Sequence, residues 1–588
     1  PPPPDLPAAG DRPLTPETAT PQSPPPRVET PRAARPARFL AGLLALFAVF
    51  VVALLAPGRM VVSNMEGDVF HLLDGVTRMR LGQAPHLDFR TPLGILAYLP
   101  VAAWEGLGLG RSLALSHAIA AAVCLPGLAW IGLSRLRAGP ALGYAAVVLI
   151  TATTLSWDPL AKGATAAMSY NRWGWALLMV GGAILLLDRV APSRRNGAGA
   201  VIDGLLIGTL GAILLFLKVT FVVGLAGLWL VWVLTGAERR AVLVSVLAGL
   251  GLALALGLAT GGVEAFSAYV DDLLAVADAG EIRPMSAARP TVAVITPEGL
   301  LLLSCALIGG LALARGGRGR EALRFAAACL AAFLLAWQNF GHDPTSMSAL
   351  AVALLALSGR LAPGALAFGR PAASVAFCAA LVMLSVRAEG LVNSARSFAH
   401  LYAAPSEQFP AMQAFAPDIY WQRAGKDAAG RVKLYAADDS PITLGEVTQP
   451  YCAVLTGMSE MLAEAADAIR ADDALRGRSV LTLDLLNPLW MIAGAPPQRG
   501  AWNWAYGGAA AQIAEADLVA LPRCPFAEPL VKIMVGEVET SGRALRIAAR
   551  TPNWTFFELG APGSAPGPDE PAAEEEEKEK EKDGAADE

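Results

Sequence analysis

The residues best placed by type to do chemistry lie in one stretch, Ser63 to Gly94. It holds the acids Glu66, Asp68, Asp74 and Asp88, the histidines His71 and His86, and the arginines Arg78, Arg80 and Arg90. It is the only long polar stretch near the front of an otherwise apolar chain, and it follows the first membrane-length segment directly. Glu66 and Asp68 stand just beyond that segment, where a carboxylate meets the head group of a lipid. Two carboxylates near one site can act as a general base and an orienting partner. The alternative is that these acids cap helices and solvate a loop.

The elements that must position these acids follow from the same stretch. Val69 to Arg80 reads as a helix lying on the membrane, with Phe70, Leu73, Val76 and Leu81 partly on one face. Gly82 and Pro85 end it. Asp88-Phe89 follows and Pro92 opens the next segment, so the chain returns a second acid to the same surface.

Composition sets the solvent. Of 588 residues, 54% are hydrophobic and 16% charged, and the mean hydropathy is +0.46. A soluble chain carries about 25% charged residues, so repeated apolar runs predict a polytopic membrane protein. The formal charge of −5 adds little, because much of the acid sits in the tail. No basic stripe with interleaved aromatics points to nucleic acid. Cys124, Cys305, Cys329 and Cys378 fall in apolar runs and read as buried packing residues, and no Cys-x-x-Cys or Cys/His cluster has metal spacing.

A span needs about 20 apolar residues. Eleven stretches qualify: 39–56, 112–134, 140–156, 172–188, 201–218, 220–236, 241–259, 298–314, 322–340, 344–360 and 371–387. The first is too long, and lacks the cleavage site, for a signal peptide. The stretch 92–108, with Pro92, Pro100, Trp104 and Glu105, is read as an interfacial or re-entrant helix. With it outside the count, Arg35/Arg38, Arg135/Arg137, Arg189/Arg194/Arg195, Arg239/Arg240, Arg315/Arg318/Arg320 and Arg360/Arg370 all fall on the cytoplasmic side. The loops 58–111, 157–171 and 260–297, the Gly341–Asp343 turn and everything after 387 are then external, which in a bacterium is the periplasm.

Four regions are expected: a disordered Pro-rich cytoplasmic tail at 1–37, a membrane bundle at 38–387, a periplasmic α/β domain at 388–560, and a disordered acidic tail at 561–588. In the third, 479–494 reads as a strand and turn, Asp517 to Pro522 and Lys532 to Val538 as strands, and Met458 to Arg470 as a helix. Cys452 and Cys524 would share an oxidising compartment and are a disulfide candidate.

The loop motif carries a resemblance. An acid, then about twenty residues with an amphipathic helix, then G-x-x-P-x-x-D-F and a proline resembles the first external loop of the GT-C glycosyltransferases, which use polyprenyl-phosphate sugars. Protein mannosyltransferases and the aminoarabinose transferase of lipid A belong to this superfamily. Here the pattern is Asp68, Gly82-Gln-Ala-Pro85-His-Leu-Asp88-Phe89 and Pro92. It departs from the commonest form at His86, where Tyr is frequent, and at Thr91, before a single proline. The topology of 39–360 is similar.

The resemblance implies an inverting transferase in a mainly α, GT-C-type bundle, with Asp68 as base, Glu66 beside it and Asp88 as second acid. It implies donor contacts from Lys218 in Lys218-Val-Thr220, from Asn171 and Arg172 in Ser169-Tyr170-Asn171-Arg172, and from His342 in Gly341-His342-Asp343. Arg283 and Arg289, in the external 260–297 loop, are further phosphate or acceptor contacts. Each has a plain alternative: Lys218 snorkels to head groups, Arg172 is an interfacial anchor with Trp173 and Trp175, and His342 holds its turn. No cofactor is required. Some relatives use a divalent metal, but Asp271-Asp272 is not a spaced acid motif. The partners would be a polyprenyl-phosphate sugar, membrane lipids and a glycan, lipid or protein acceptor.

Rival readings predict other features. A transporter or flippase needs charges in mid-membrane and an internal repeat. A lipid-linked polysaccharide polymerase or ligase is the other enzyme reading. An inactive scaffold would use the C-terminal region to bind partners.

Overall fold

The computed structural model describes residues 36–63, 65–158, 163–190, 197–278, 296–339, 345–361, 371–403, 410–421, 433–436, 441–449, 452–506 and 508–563. The chain is mainly helical, and its described residues belong to one compact unit. Among the described residues, six helices are long and apolar enough to cross a membrane: Pro36–Leu55, Leu109–Ser134, Ala198–Leu217, Arg239–Ala259, Pro297–Arg315 and Gly319–Gln338. A seventh span results if Pro371–Val386 and Ala388–Tyr402, bent by 40° at their junction, are one broken span. Three more apolar helices, Ala138–Thr153, Val219–Leu234 and Ser346–Leu361, are shorter. The Ser169–Leu186 helix is buried along almost its whole length and forms the middle of the bundle.

The outer helices present apolar faces outward. Leu243, Leu247, Leu250, Leu254 and Leu258 of Arg239–Ala259 are all exposed, at helical spacing. Lipid, not water, is the solvent that suits such a face. The Ala198–Leu217 helix packs along Arg239–Ala259 through Gly204 and Gly208, where a methyl group would collide with the carbonyls of Ala241 and Ser245. Two glycines four apart let helix backbones approach closely in lipid. Of the four apolar-run cysteines, Cys124, Cys305 and Cys329 are buried as expected, but Cys378 is exposed. It sits on the outward side of Pro371–Val386.

The stretch 92–108 forms no continuous helix. It breaks into the single turns Ile95–Ala97, Leu99–Ala102 and Glu105–Leu107. Pro92 and Pro100 interrupt the hydrogen-bond ladder, and Gly94 allows contact with the end of Ala198–Leu217, its N–H donating to the Leu217 carbonyl at 3.2 Å.

The helix after the first span runs Glu66–Arg80 and is buried on most of its faces. Val69, Phe70, His71, Leu72, Leu73, Asp74, Val76 and Arg78 are all buried. The C-terminal region covers it. Met60–Val62 pairs in parallel with Ile419–Trp421, and Phe89–Arg90 with Ala501–Trp502. Phe70 stacks on Trp421 with ring centroids 4.6 Å apart.

That region contains a four-stranded sheet in the order Val480–Thr482, Leu518–Pro522, Trp554–Pro562, Arg543–Arg550. The first pair is parallel and the others antiparallel. The Met458–Ala471 helix matches its expectation, but Lys532 to Val538 lies within a helix, Glu528–Thr540. Leu530, Val531, Met534, Val535 and Val538 are buried at helical spacing while Ile533 faces out, so the 3.6-residue period prevails over the β-branched residues. Cys452 and Cys524 are joined in a disulfide.

Candidate functional site

Two helices begin at one end of the bundle, and both begin from a methionine in the left-handed region. Met65 (φ 52°) precedes Glu66–Arg80, and Met168 (φ 57°) precedes Ser169–Leu186. His86 (φ 68°) is the third described non-glycine residue with positive φ, and it lies in the same loop. Such conformations cost energy and cluster at functional sites. The first turns of the two helices present Asp68 on one and Tyr170 and Asn171 on the other.

The Tyr170 hydroxyl donates to the Asp68 carboxylate, and Lys218 is the cation that acts on it. Lys218 lies in extended backbone between Ala198–Leu217 and Val219–Leu234. Its Nζ donates to Asn171 Oδ1 at 2.8 Å and Asn339 Oδ1 at 2.6 Å, and stands 5.5 Å from the Tyr170 ring centroid. Asp68 keeps part of its surface open. Burial nonetheless pushes its carboxyl up to about 6, against the opposing pull of Lys218 and the Tyr170 hydroxyl. A carboxylate with this affinity for a proton suits general-base work near neutral pH.

One wall of the site comes from the C-terminal region. The Trp504 ring lies 4.5 Å from His71, and Tyr506 meets Trp504 edge-on at 5.5 Å. His71 is held near 3 by burial and by Lys218, so it is neutral, and Tyr98 shares a hydrogen bond with its Nε2 at 3.2 Å. His71 Nδ1 and Trp504 Nε1 are buried and meet no hydrogen-bond partner among the described residues.

The other expected site residues divide. Glu66 accepts from the Met458 N–H at 2.9 Å and from the Ser459 hydroxyl, which ties it to the start of Met458–Ala471. A carboxylate at a helix N-terminus is a stabilising contact. Asp88 closes its own turn by accepting from the Ala84 N–H at 2.8 Å, and this bond does not join it to Asp68, Tyr170 or Lys218. Arg172 turns to the end of Ala138–Thr153, with Nε 3.1 Å from the Thr151 carbonyl and a further bond to the Thr154 hydroxyl. His86 Nδ1 lies 2.9 Å from Asp272. Arg283, Arg289 and His342 lie outside the described residues.

Two groups of residues have structural roles that the sequence did not assign. Asp272, buried on Gly262–Asp278, gathers the loop: it also accepts from Arg90 Nε at 2.8 Å and Thr91 N–H at 3.1 Å. The helix buries Ala265, Tyr269, Asp272 and Val276, a spacing that places Asp272, and not Asp271, on its inner face. Asp74 accepts from Arg78 Nε at 3.0 Å and Trp490 Nε1 at 2.8 Å, and Arg78 donates to the Gln498 carbonyl at 2.7 Å. This pins the C-terminal region onto the Glu66–Arg80 helix. Among the described residues, no three His, Cys, Asp or Glu side chains stand together as a metal site.

The arrangement can hold an anion beside Lys218 and take a proton at Asp68, with the Trp504 ring forming one wall. In comparisons with known proteins, no family model, no curated protein and no solved structure matches the chain.

Proposed function

We propose that the chain is a GT-C-like membrane glycosyltransferase that moves a sugar from a polyprenyl-phosphate donor to an acceptor hydroxyl, with inversion. The observation that carries this reading is Asp68, raised to about 6, placed with Tyr170 and Lys218 where two helices begin at one end of an apolar bundle. In this reading the bundle crosses the membrane eleven times, the Asp68 end faces the periplasm of a bacterial inner membrane, and 388–560 is the external α/β region.

The donor lies with its prenyl tail in lipid and its phosphate toward Lys218. Asp68 removes the acceptor hydroxyl proton as the acceptor oxygen bonds to the anomeric carbon. The bond from that carbon to the phosphate oxygen breaks, and its electron pair leaves with polyprenyl phosphate. Lys218 and the positive ends of the Glu66–Arg80 and Ser169–Leu186 helices offset the charge that develops on the phosphate. Such compensation is often the largest catalytic contribution. Asn171 and Asn339 hold the ammonium in place. Trp504, half-buried beside His71, gives the sugar a ring to stack on. His342, Arg283 and Arg289 remain candidate phosphate or acceptor contacts.

The test compares envelope glycans by mass spectrometry in wild-type cells, a deletion strain, and the deletion complemented with wild type, Asp68→Asn or Asp473→Asn. Asp473 is exposed, in the C-terminal region, and makes only a surface ion pair with Arg476. A sugar that disappears on deletion and returns with Asp473→Asn but not with Asp68→Asn supports the reading, and its mass names the sugar. Full restoration by Asp68→Asn removes Asp68 as base.

A further inference from the structure

The other end of the bundle carries a second built-up set of charges. The Ser169–Leu186 helix separates the two ends by about 27 Å, at 1.5 Å per residue. Just past it stand Asp188 and Arg189. Two cavities open there, of about 270 and 420 Å³, and Asp188 lines both. The first is also lined by Arg135, Arg189 and Arg324 with Asp203 and Glu238; the second by Arg318, Arg320 and Arg360 with Glu321.

Among the described lining residues, six arginines thus face four acids, a surplus of two positive charges. The pairing shows the surplus. Asp203 serves both Arg135 at 2.7 Å and Arg189 at 3.5 Å. Glu321 serves both Arg318 at 2.6 Å and Arg360 at 2.9 Å. Arg320 is exposed, has no carboxylate partner among the described residues, and holds its guanidinium beside Gly236 at the rim. Leu234, two residues before Gly236, and Leu323, three after Arg320, are both exposed.

We infer that these cavities hold the phosphate-bearing head group of an anionic phospholipid. Guanidinium groups present paired N–H donors to phosphate oxygens, and basic pockets between membrane helices take up anionic head groups. The acyl chains would run along Leu234 and Leu323. A soluble phosphate shares the head-group chemistry but has no use for that apolar flank. The inference does not depend on the glycosyltransferase reading.

The test uses the full chain in nanodiscs of phosphatidylcholine with a minor fraction of phosphatidylglycerol, and native mass spectrometry of the retained lipid. Phosphatidylglycerol should be retained about fivefold above its share of the disc for each arginine engaged. Arg320→Ala should lose about that factor, and Arg320→Glu more. Arg137, exposed at the same end but lining neither cavity, is the control, and Arg137→Ala should change nothing. Equal losses in Arg320→Ala and Arg137→Ala would overturn the inference in favour of general surface charge. So would displacement of the lipid by inorganic phosphate at matching concentration, or no preference for phosphatidylglycerol in the wild type.

Discussion

The two ends of the bundle handle charge in opposite ways. At one end, the hydrogen bonds to the two site groups come from neutral dipoles, Tyr170 on Asp68 and Asn171 and Asn339 on Lys218, while the pairs Arg78–Asp74 and Arg90–Asp272 hold the helix and loop around them. At the other, each acid meets arginine directly, as in Arg135–Asp203, Arg324–Asp188 and Arg360–Glu321. A charge fixed by a counter-charge is a structural part, because removing its partner leaves an uncompensated ion in apolar surroundings. A carboxylate held by a hydroxyl can still exchange its proton. The difference separates an end suited to chemistry from an end suited to holding helices and anionic lipid.

The largest effect expected from breaking this contrast is at Asp68. Asp68→Asn should lower transfer by about 10²–10⁴, the range general-base catalysis supplies. The same variant should not be less stable at neutral pH. Wild-type Asp68 titrates near 6 when folded and near 3.8 when unfolded, so the folded state holds the proton more tightly. Its ionisation therefore costs stability as pH rises from about 4 to 6 and above. That cost is at most about 3 kcal/mol, and less because Asp68 keeps some solvent contact. Thermal melts of wild type and Asp68→Asn across pH 4–8 should diverge in that window, the variant becoming relatively more stable.

At the opposite end the expectation reverses. Arg135→Met leaves Asp203 short of a partner and should destabilise the fold by about 3–5 kcal/mol, as loss of one member of a buried pair does. The transfer activity of protein that does fold should stay near wild type. Thermal melts beside glycan analysis separate the two effects. A variant at this end that removed activity without loss of stability would erase the contrast.

Smaller effects sharpen the Asp68 end. Trp504→Ala should reduce transfer about threefold to tenfold, the scale of one aromatic contact. Trp504→Phe should recover most of it, since a ring remains. The rate of the wild type should climb with pH through about 6 as Asp68 ionises, and a pH–rate profile would show it.

How far these features were legible in the sequence depends on whether their signal is local. Each of the eleven apolar stretches corresponds to a helix, because runs of Leu, Ala, Val and Gly in that length leave few alternatives. Lys218 was visible as a single cation between the apolar runs 201–217 and 219–236. The burial of Glu66–Arg80 was not visible. It depends on Met60–Val62 and Phe89–Arg90 pairing with strands more than three hundred residues away, and each pairing is only two or three residues long. Glu66 reads as a catalytic acid until Met458 and Ser459 arrive to bond it. Trp504 could not be assigned to the site for the same reason. Asp272 was recoverable in principle, because the inner face of its helix is periodic.

The central claim is that the Asp68 end holds a polyprenyl-phosphate donor, and polyprenyl phosphate is the leaving group whatever the sugar. Its binding to the purified full chain is therefore the most direct measurement, made on wild type, Lys218→Ala and Asp68→Asn. The account predicts that wild type binds it, that Lys218→Ala binds at least about tenfold more weakly, the lower end of what a hydrogen bond to a charged group contributes, and that Asp68→Asn binds as well or better. No binding by wild type, or binding that ignores Lys218, would contradict it.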